Sequence, residues 1–247
     1  MLTNQFKINY SVGSIANGIK TDTFTFFLLF FYSNIIGLNP GLAGTAIFIA
    51  LCVDAFTDPL MGTISDRTNS SFGRRHPYMF ISFIPMSLGY IFLFAPRQDW
   101  DMSQSDLFVW MTIFTILTRI GMTLFDIPHR AFGGEITKNY NERTLLMSWR
   151  EMFAWVAGLS NAFLGYGVFF ASTPAFPQGQ LNPDAWFPFA LTGALIMIVS
   201  VLYSSLSTKN EINSLSKWSG SIALGAILNE LKIALGNKSF LISVSYT

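Results

Sequence analysis

Asp54 and Asp58 stand four residues apart in a stretch, 42–65, that otherwise reads as a membrane-spanning helix. Four residues is about one helical turn, so the two carboxylates leave the same face. A charged side chain at mid-bilayer costs about 2.5–3.5 kcal/mol on insertion scales, and two on one turn need a partner. A cation held between them is the simplest one, with the hydroxyl of Thr57 close by. The alternative is a pair of basic side chains on neighbouring helices, acting only as structural glue. Acids inside the membrane are functional by default, so the chemistry expected first is the binding of a monovalent cation.

The elements that position these acids follow from composition and charge. The chain is 51% hydrophobic and 16% aromatic, with 25 phenylalanines, and only 12% charged, where soluble domains run near 25%. A net charge of +1 gives nucleic acid no handle, and the single cysteine, Cys52, excludes an internal disulfide framework. Cys52 is expected to pack as a small apolar residue. A helix needs about 20 mainly apolar residues to cross, and six stretches qualify: 10–36, 42–65, 77–95, 107–127, 148–171 and 186–207. They are helices 1 to 6 below. No cleavable signal peptide is evident ahead of helix 1.

The links alternate in charge. Link 2–3 carries Arg67, Arg74 and Arg75, link 4–5 carries Arg130, Lys138 and Arg143, and the tail carries Lys209, Lys217, Lys232 and Lys238. Links 1–2 and 5–6 have no Lys or Arg, and link 3–4 sets Arg97 among Asp99, Asp101 and Asp106. The positive-inside rule then puts the N-terminus and the tail in the cytoplasm. Residues 219–235 read as an amphipathic cytoplasmic helix, and 238–247 begin a new apolar run too short to cross. The expected organisation is a six-helix transmembrane bundle over 1–208, a cytoplasmic linker over 209–237 and the start of a seventh span over 238–247.

Several blocks resemble a known family. Residues 54–62 read DAFTDPLMG and 66–78 read DRTNSSFGRRHPY; helix 1 contributes KINYSVGSIANG (7–18) and FYSNIIGL (31–38). DIPHRA (126–131), NERT (141–144) and Arg150 follow. Together, and over nearly the whole chain, these resemble the glycoside–pentoside–hexuronide cation symporters. The resemblance implies an all-α membrane protein, the six-transmembrane-helix N-terminal half of a major facilitator fold, whose C-terminal six-helix half is missing from this sequence. It implies alternating access, and a sodium, lithium or proton site at Asp54, Thr57 and Asp58, completed by Thr123 and Asp126. Thr123 and Asp126 share a helix face at i, i+3, which fits. It further implies that Asp126 also touches sugar and that Arg150 lies beside it. A carboxylate cluster shared by cation and sugar would couple the two.

The chain departs from that pattern in two places. Where the best-known member of the family carries a Lys–Asp pair on helix 1, this chain has Asn17 and Gly18; Lys20 and Asp22 follow one turn later, the register of other branches, with Asp22 on the face of Gly18. Where it carries a sugar-stacking aromatic after the DIP block, this chain has Arg130. Lys20, Asp22 and Arg130 therefore join Asp126 and Arg150 as substrate candidates.

Other residues admit two readings. Arg119, seven residues before Asp126, pairs with a helix 2 acid or Asp22, or meets substrate. The Gly73–Arg74–Arg75–His76 loop is a topology signal in contact with lipid phosphate, or part of a gate in which Asp66 and Arg67 pair across the two halves. His76 and His129 have no second His or Cys at ligand spacing, so no metal beyond the coupling cation and no cofactor is expected. Trp149, Trp155 and Trp186 read as interface anchors, with sugar stacking as the alternative for one of them. Gly158, Ser160 and Gly165 suggest close helix packing.

Three other functions compete. An intramembrane aspartyl protease needs acids on two facing helices; Asp54 and Asp58 share one, and no Gly-x-Gly-Asp occurs, so an enzyme is not expected. Sodium-dependent lysolipid carriers keep the same helix 2 acids, and Lys20, Arg119 and Arg130 suit a phosphate. The third is a non-transporting fragment of a carrier. The expectation is a cation-coupled symporter of a sugar or glycoside in a bacterial inner membrane.

Overall fold

The computed structural model describes residues 2–68 and 70–214. The expected amphipathic helix at 219–235 and the seventh span at 238–247 lie outside the described residues. Among the described residues five helices are long and apolar enough to cross a membrane: Pro40–Arg67, His76–Leu93, Gln104–Glu135, Tyr140–Phe169 and Pro183–Glu211. The chain is thus a multi-pass integral membrane protein. These five correspond to helices 2 to 6.

Helix 1 differs from the even span expected. It is built in pieces: Asn4–Ser11, Ser14–Asp22, a π-helical turn Thr23–Phe27, a short turn Leu28–Phe30 and a second π-helical turn Phe31–Ile36. Insertions of this kind widen the turn and concentrate at functional sites; the first begins directly after Asp22. Gly37 closes the segment at φ 86°, a left-handed conformation that glycine adopts without a Cβ clash. Helix 2 then starts on a cap: the Asn39 side chain accepts from the Gly41 amide at 2.8 Å, with Pro40 in the first turn.

Helix 4 runs well past the expected end at 127, through Pro128 to Glu135. The proline removes one amide from the ladder, but the continuation is packed, with Phe132 and Gly133 buried. Helix 5 begins at Tyr140 rather than 148, on a cap in which the Asn139 side chain accepts from the Glu142 amide. Its charged first turns, which read as loop, extend the helix beyond its apolar stretch. Helix 6, Trp186–Ser207, has the expected bounds.

Helix 4 packs between helices 2 and 3, while helix 1 packs on helices 5 and 6, and helix 3 on helix 6. Small residues permit these approaches: a Cβ on Gly18 would lie 2.0 Å from the Ala154 carbonyl oxygen, so helices 1 and 5 touch backbone to backbone. The core is aromatic. Trp186 is fully buried, its ring parallel to Phe94 and its indole N–H donating to the Gln180 carbonyl at 3.0 Å. Trp186 is therefore a core residue, not an interface anchor: the indole finds its partner inside the protein, which removes the reason for sitting at a wet boundary. Cys52 also differs from expectation and is exposed on helix 2.

Each end of the bundle is tied separately. At the basic end Arg75 bridges Asp66 (2.6 Å) and Glu135 (2.7 Å), and Arg74 meets Glu135 at 2.9 Å. At the other end the Gln104 side chain donates to the Gly37 carbonyl and accepts from the Asn39 amide, both at 2.8 Å, while Arg97 pairs with Asp184 at 3.1 Å.

Candidate functional site

Helices 1, 2 and 4 enclose a cavity of about 450 Å³, lined by Asn17, Lys20, Thr21, Phe24 and Thr25 from helix 1, Leu51, Asp54 and Asp58 from helix 2, and Arg119, Met122, Thr123, Asp126, Ile127 and Arg130 from helix 4. Helical periodicity explains the wall. Positions 17, 20, 21 and 24 form one stripe of helix 1, 51, 54 and 58 one of helix 2, and 119, 122, 123, 126 and 130 one of helix 4.

Each acid has its own donor. Asp54 accepts from Arg119 Nε at 2.6 Å, Asp58 from the Thr123 hydroxyl at 2.7 Å, and Asp126 from Arg130 Nε at 2.6 Å. Asp126 also accepts from Arg150 on helix 5, which is buried behind the cavity and reaches Glu151 at 3.0 Å as well. Asp58 alone has no basic partner among these contacts. Among the described residues no three acidic, His or Cys side chains come close enough together to hold a metal ion. The carboxylates are drawn toward their separate donors instead. One oxygen of Asp54 and the hydroxyl of Thr57 are buried without a hydrogen-bond partner, and such groups are costly unless something completes them.

Two prolines mark the same turns. Pro59 directly follows Asp58, and Pro128 lies two residues after Asp126, both inside continuous helices. Neither can donate to the carbonyl one turn before it, so each helix loses one ladder hydrogen bond beside its acid.

The structure gathers Lys20, Asp54, Asp58, Arg119, Thr123, Asp126 and Arg130 at the cavity wall. Arg119 takes the helix 2 acid, not Asp22. Asp22 turns to the other side of helix 1, where Asn161 of helix 5 donates to it at 2.8 Å. Thr57 and Arg150 are not among the residues that line the cavity. Asp66, Arg74 and Arg75 lie at the basic end, where Asp66 pairs with Arg75 inside this bundle. Burial pulls the Arg75 pKa down, opposed by the charges of Glu135 and Asp66. His76 and His129 are buried in helix packing, His76 against the Thr208 hydroxyl at 3.2 Å and His129 stacked on Tyr10.

Sequence reasoning missed Glu135, which holds both loop arginines, and Asn161, which holds Asp22. It also missed Phe24, the aromatic in the cavity, with the Lys20 ammonium 6.0 Å and the Arg119 guanidinium 5.9 Å from its ring centre. Phe24 had a signal available: it lies one turn after Lys20, on the same stripe.

The family model for MFS/sugar transport proteins matches residues 9–246. The chain is 32% identical over 211 residues to the uncharacterized symporter sll1374 of Synechocystis, covering 83% of this chain and 37% of the relative. It is 27% identical over 245 residues to the putative glycoside/cation symporter YagG of Escherichia coli, covering 99% and 50%. It is 30% identical over 179 residues to the sodium-dependent lysophosphatidylcholine symporter 1-A of Danio rerio, covering 70% and 32%. The chain thus spans 32% to 50% of the length of these curated relatives.

Proposed function

The chain belongs to the MFS/sugar transport protein family, a family of carriers rather than enzymes, and from that premise we propose that it forms the N-terminal six-helix half of a cation-coupled symporter of a sugar or glycoside. Its place is a bacterial inner membrane, with the N-terminus in the cytoplasm as the basic links 2–3 and 4–5 suggest. The remaining half completes the cavity, and the two halves alternate access to it.

One observation carries this reading: three carboxylates and three basic side chains face one cavity between helices that are otherwise apolar. Asp58 is the acid available to a cation, because its only donor among the described residues is a neutral hydroxyl that can turn its oxygen lone pair to the ion instead. Asp54 and Thr57, each with a polar oxygen lacking a partner, supply further ligands on the same turn. The coupling ion is sodium, lithium or a proton. Asp126, held by Arg130 and Arg150, lies in the same wall and addresses substrate hydroxyls. A bound cation draws Asp58 away from Thr123 on helix 4, the helix that presents Asp126, and that is the physical link between the two ligands.

The test is Asp58→Asn in the full-length carrier. The amide cannot balance a bound monovalent cation, so cation-stimulated uptake should vanish while membrane insertion survives. Unchanged sodium, lithium or proton dependence would remove Asp58 from the cation site. A second reading, a lysolipid carrier, draws support from the Danio rerio relative and from the cations around Phe24.

A further inference from the structure

The charges of the cavity balance before any ligand enters. The wall presents three carboxylates, Asp54, Asp58 and Asp126, and three bases, Lys20, Arg119 and Arg130. Outside the wall, Arg150 and Glu151 pair with each other, and Asp22 is turned away from the cavity toward Asn161. A monovalent coupling ion, or a proton on Asp58, therefore leaves one positive charge in excess. Walls of Leu51, Met122, Ile127 and Phe24 screen that charge poorly. A neutral sugar does nothing to offset it.

The excess has a location. Every acid in the wall has a donor already, and Asp126 has two bases. Lys20 makes no hydrogen bond or ion pair among the described residues, and its ammonium stands 6.0 Å from the Phe24 ring centre. Arg119 approaches the same ring at 5.9 Å and commits only its Nε, to Asp54. Its two terminal amino groups make no hydrogen bond among the described residues and are not closed off from the cavity. Two cations thus converge on one aromatic ring with no carboxylate assigned to the first and spare donors on the second. Like charges so placed repel unless an anion lies between them, and a guanidinium fork with an ammonium is a good receptor for carboxylate or phosphate oxygens.

We propose that the substrate carries one anionic group, a carboxylate or a phosphate, and that Lys20 and Arg119 beside Phe24 are its seat. This rests on the symporter reading and narrows its substrate class: the cation on Asp58 and the anion on Lys20 enter as a balanced pair. The anion is what makes occupancy by the coupling ion tolerable in a site already neutral.

The experiment uses the whole carrier in lipid nanodiscs, with thermal stability as the readout. The probes are methyl β-glucoside, methyl β-glucuronide, glucose 6-phosphate and lysophosphatidylglycerol, each with and without the coupling cation. At least one anionic probe should stabilise the parent at a concentration about tenfold or more below that needed of the uncharged glucoside, and more strongly with the cation present. Which anionic probe acts separates sugar acid, sugar phosphate and lipid phosphate. Lys20→Gln should close the gap between charged and uncharged probes, and Lys20→Arg should keep it open. An uncharged glucoside that acts as well as every anionic probe overturns the proposal. So does a parent that the cation stabilises but no anionic probe does; the cation effect, absent in Asp58→Asn, then leaves the symporter reading standing. A parent that responds to neither cation nor probe overturns both.

Discussion

Helix 1 has two polar sides, and they handle burial in opposite ways. Toward helices 2 and 4 it presents Lys20 to a wall of ions, where pairs are made with single atoms and groups are left over: one oxygen of Asp54, the Thr57 hydroxyl and the Lys20 ammonium. Toward helices 3, 5 and 6 the polar groups are mostly neutral and closely knit. Thr23 meets the Tyr90 hydroxyl at 2.6 Å, and Asn161 donates to both Thr23 (3.1 Å) and Asp22 (2.8 Å). Nearer the basic end neutral groups also tie helix 1 to helices 4 and 6: the Tyr10 hydroxyl donates to the His129 carbonyl, while Tyr10's own carbonyl accepts from His129 and from Ser204. Neutral hydrogen bonds lose little by being fixed, whereas ion pairs with spare atoms can exchange partners when a ligand arrives. The first side is suited to transport and the second to holding helices together.

The sharpest way to break the comparison is Asp126→Ala. Asp126 in the cavity wall holds both Arg130 and, outside the wall, Arg150, and its removal leaves Arg150 buried with Glu151 for compensation. Substrate binding and cation stimulation should fall together, since linkage between two ligands is reciprocal. A single cation crossing 100 mV carries about 2.3 kcal/mol, close to a fifty-fold accumulation. The mutant should lose that accumulation and merely equilibrate substrate across vesicles. Full accumulation by Asp126→Ala would take helix 4 out of the coupling.

The packing side is tested next, by Gly18→Leu. Any side chain at Gly18 runs into the Ala154 carbonyl, where a Cβ would stand 2.0 Å away. Forcing helices 1 and 5 apart should cost at least the 1–3 kcal/mol of a typical overpacked core, roughly, and lower the melting temperature in detergent. Gly44→Leu is the matched control, because a Cβ there meets nothing within 4 Å. Equal stability of the two variants would deny that this face is held by close backbone contact.

Much of the charged side was legible in the sequence. Asp54, Asp58, Asp126 and Thr123 stand out because an acid in an apolar run needs an explanation, and helical spacing brings them to common faces. The packing side was not legible. Asn161 sits among ordinary helix 5 residues, and only the close approach permitted by Gly18 places it against Asp22. The fate of Asp22 shows the same limit: its spacing from Gly18 is right, yet the face they share meets helix 5, not the cavity. Pro128 misled in the opposite sense. It reads as a helix end, but a single missing amide is outweighed by the buried turn beyond it. Trp186 carried no mark distinguishing core from interface, because the ring it lies parallel to, Phe94, comes from a distant part of the chain and its carbonyl partner, Gln180, from the irregular link before it.

The smallest expected effect is the most discriminating for the neutral side. Tyr90→Phe removes one hydroxyl, leaves the ring in its aromatic setting beside Phe94, and deprives Thr23 of a partner at 2.6 Å. Side-chain hydrogen bonds between membrane helices average about 0.6 kcal/mol and reach about 1.7 kcal/mol. Thr23 keeps the hydrogen bond from Asn161, so the loss should lie near the lower figure and shift thermal stability only slightly. Cation stimulation and substrate preference should stay at the parent's values, since neither Tyr90 nor Thr23 lines the cavity. A Tyr90→Phe carrier whose cation dependence changed would show that the neutral network reports to the charged cavity through Asp22 and the π-helical turn that follows it. The two sides of helix 1 would then be one device, and the separation of binding from packing drawn above would have to be given up.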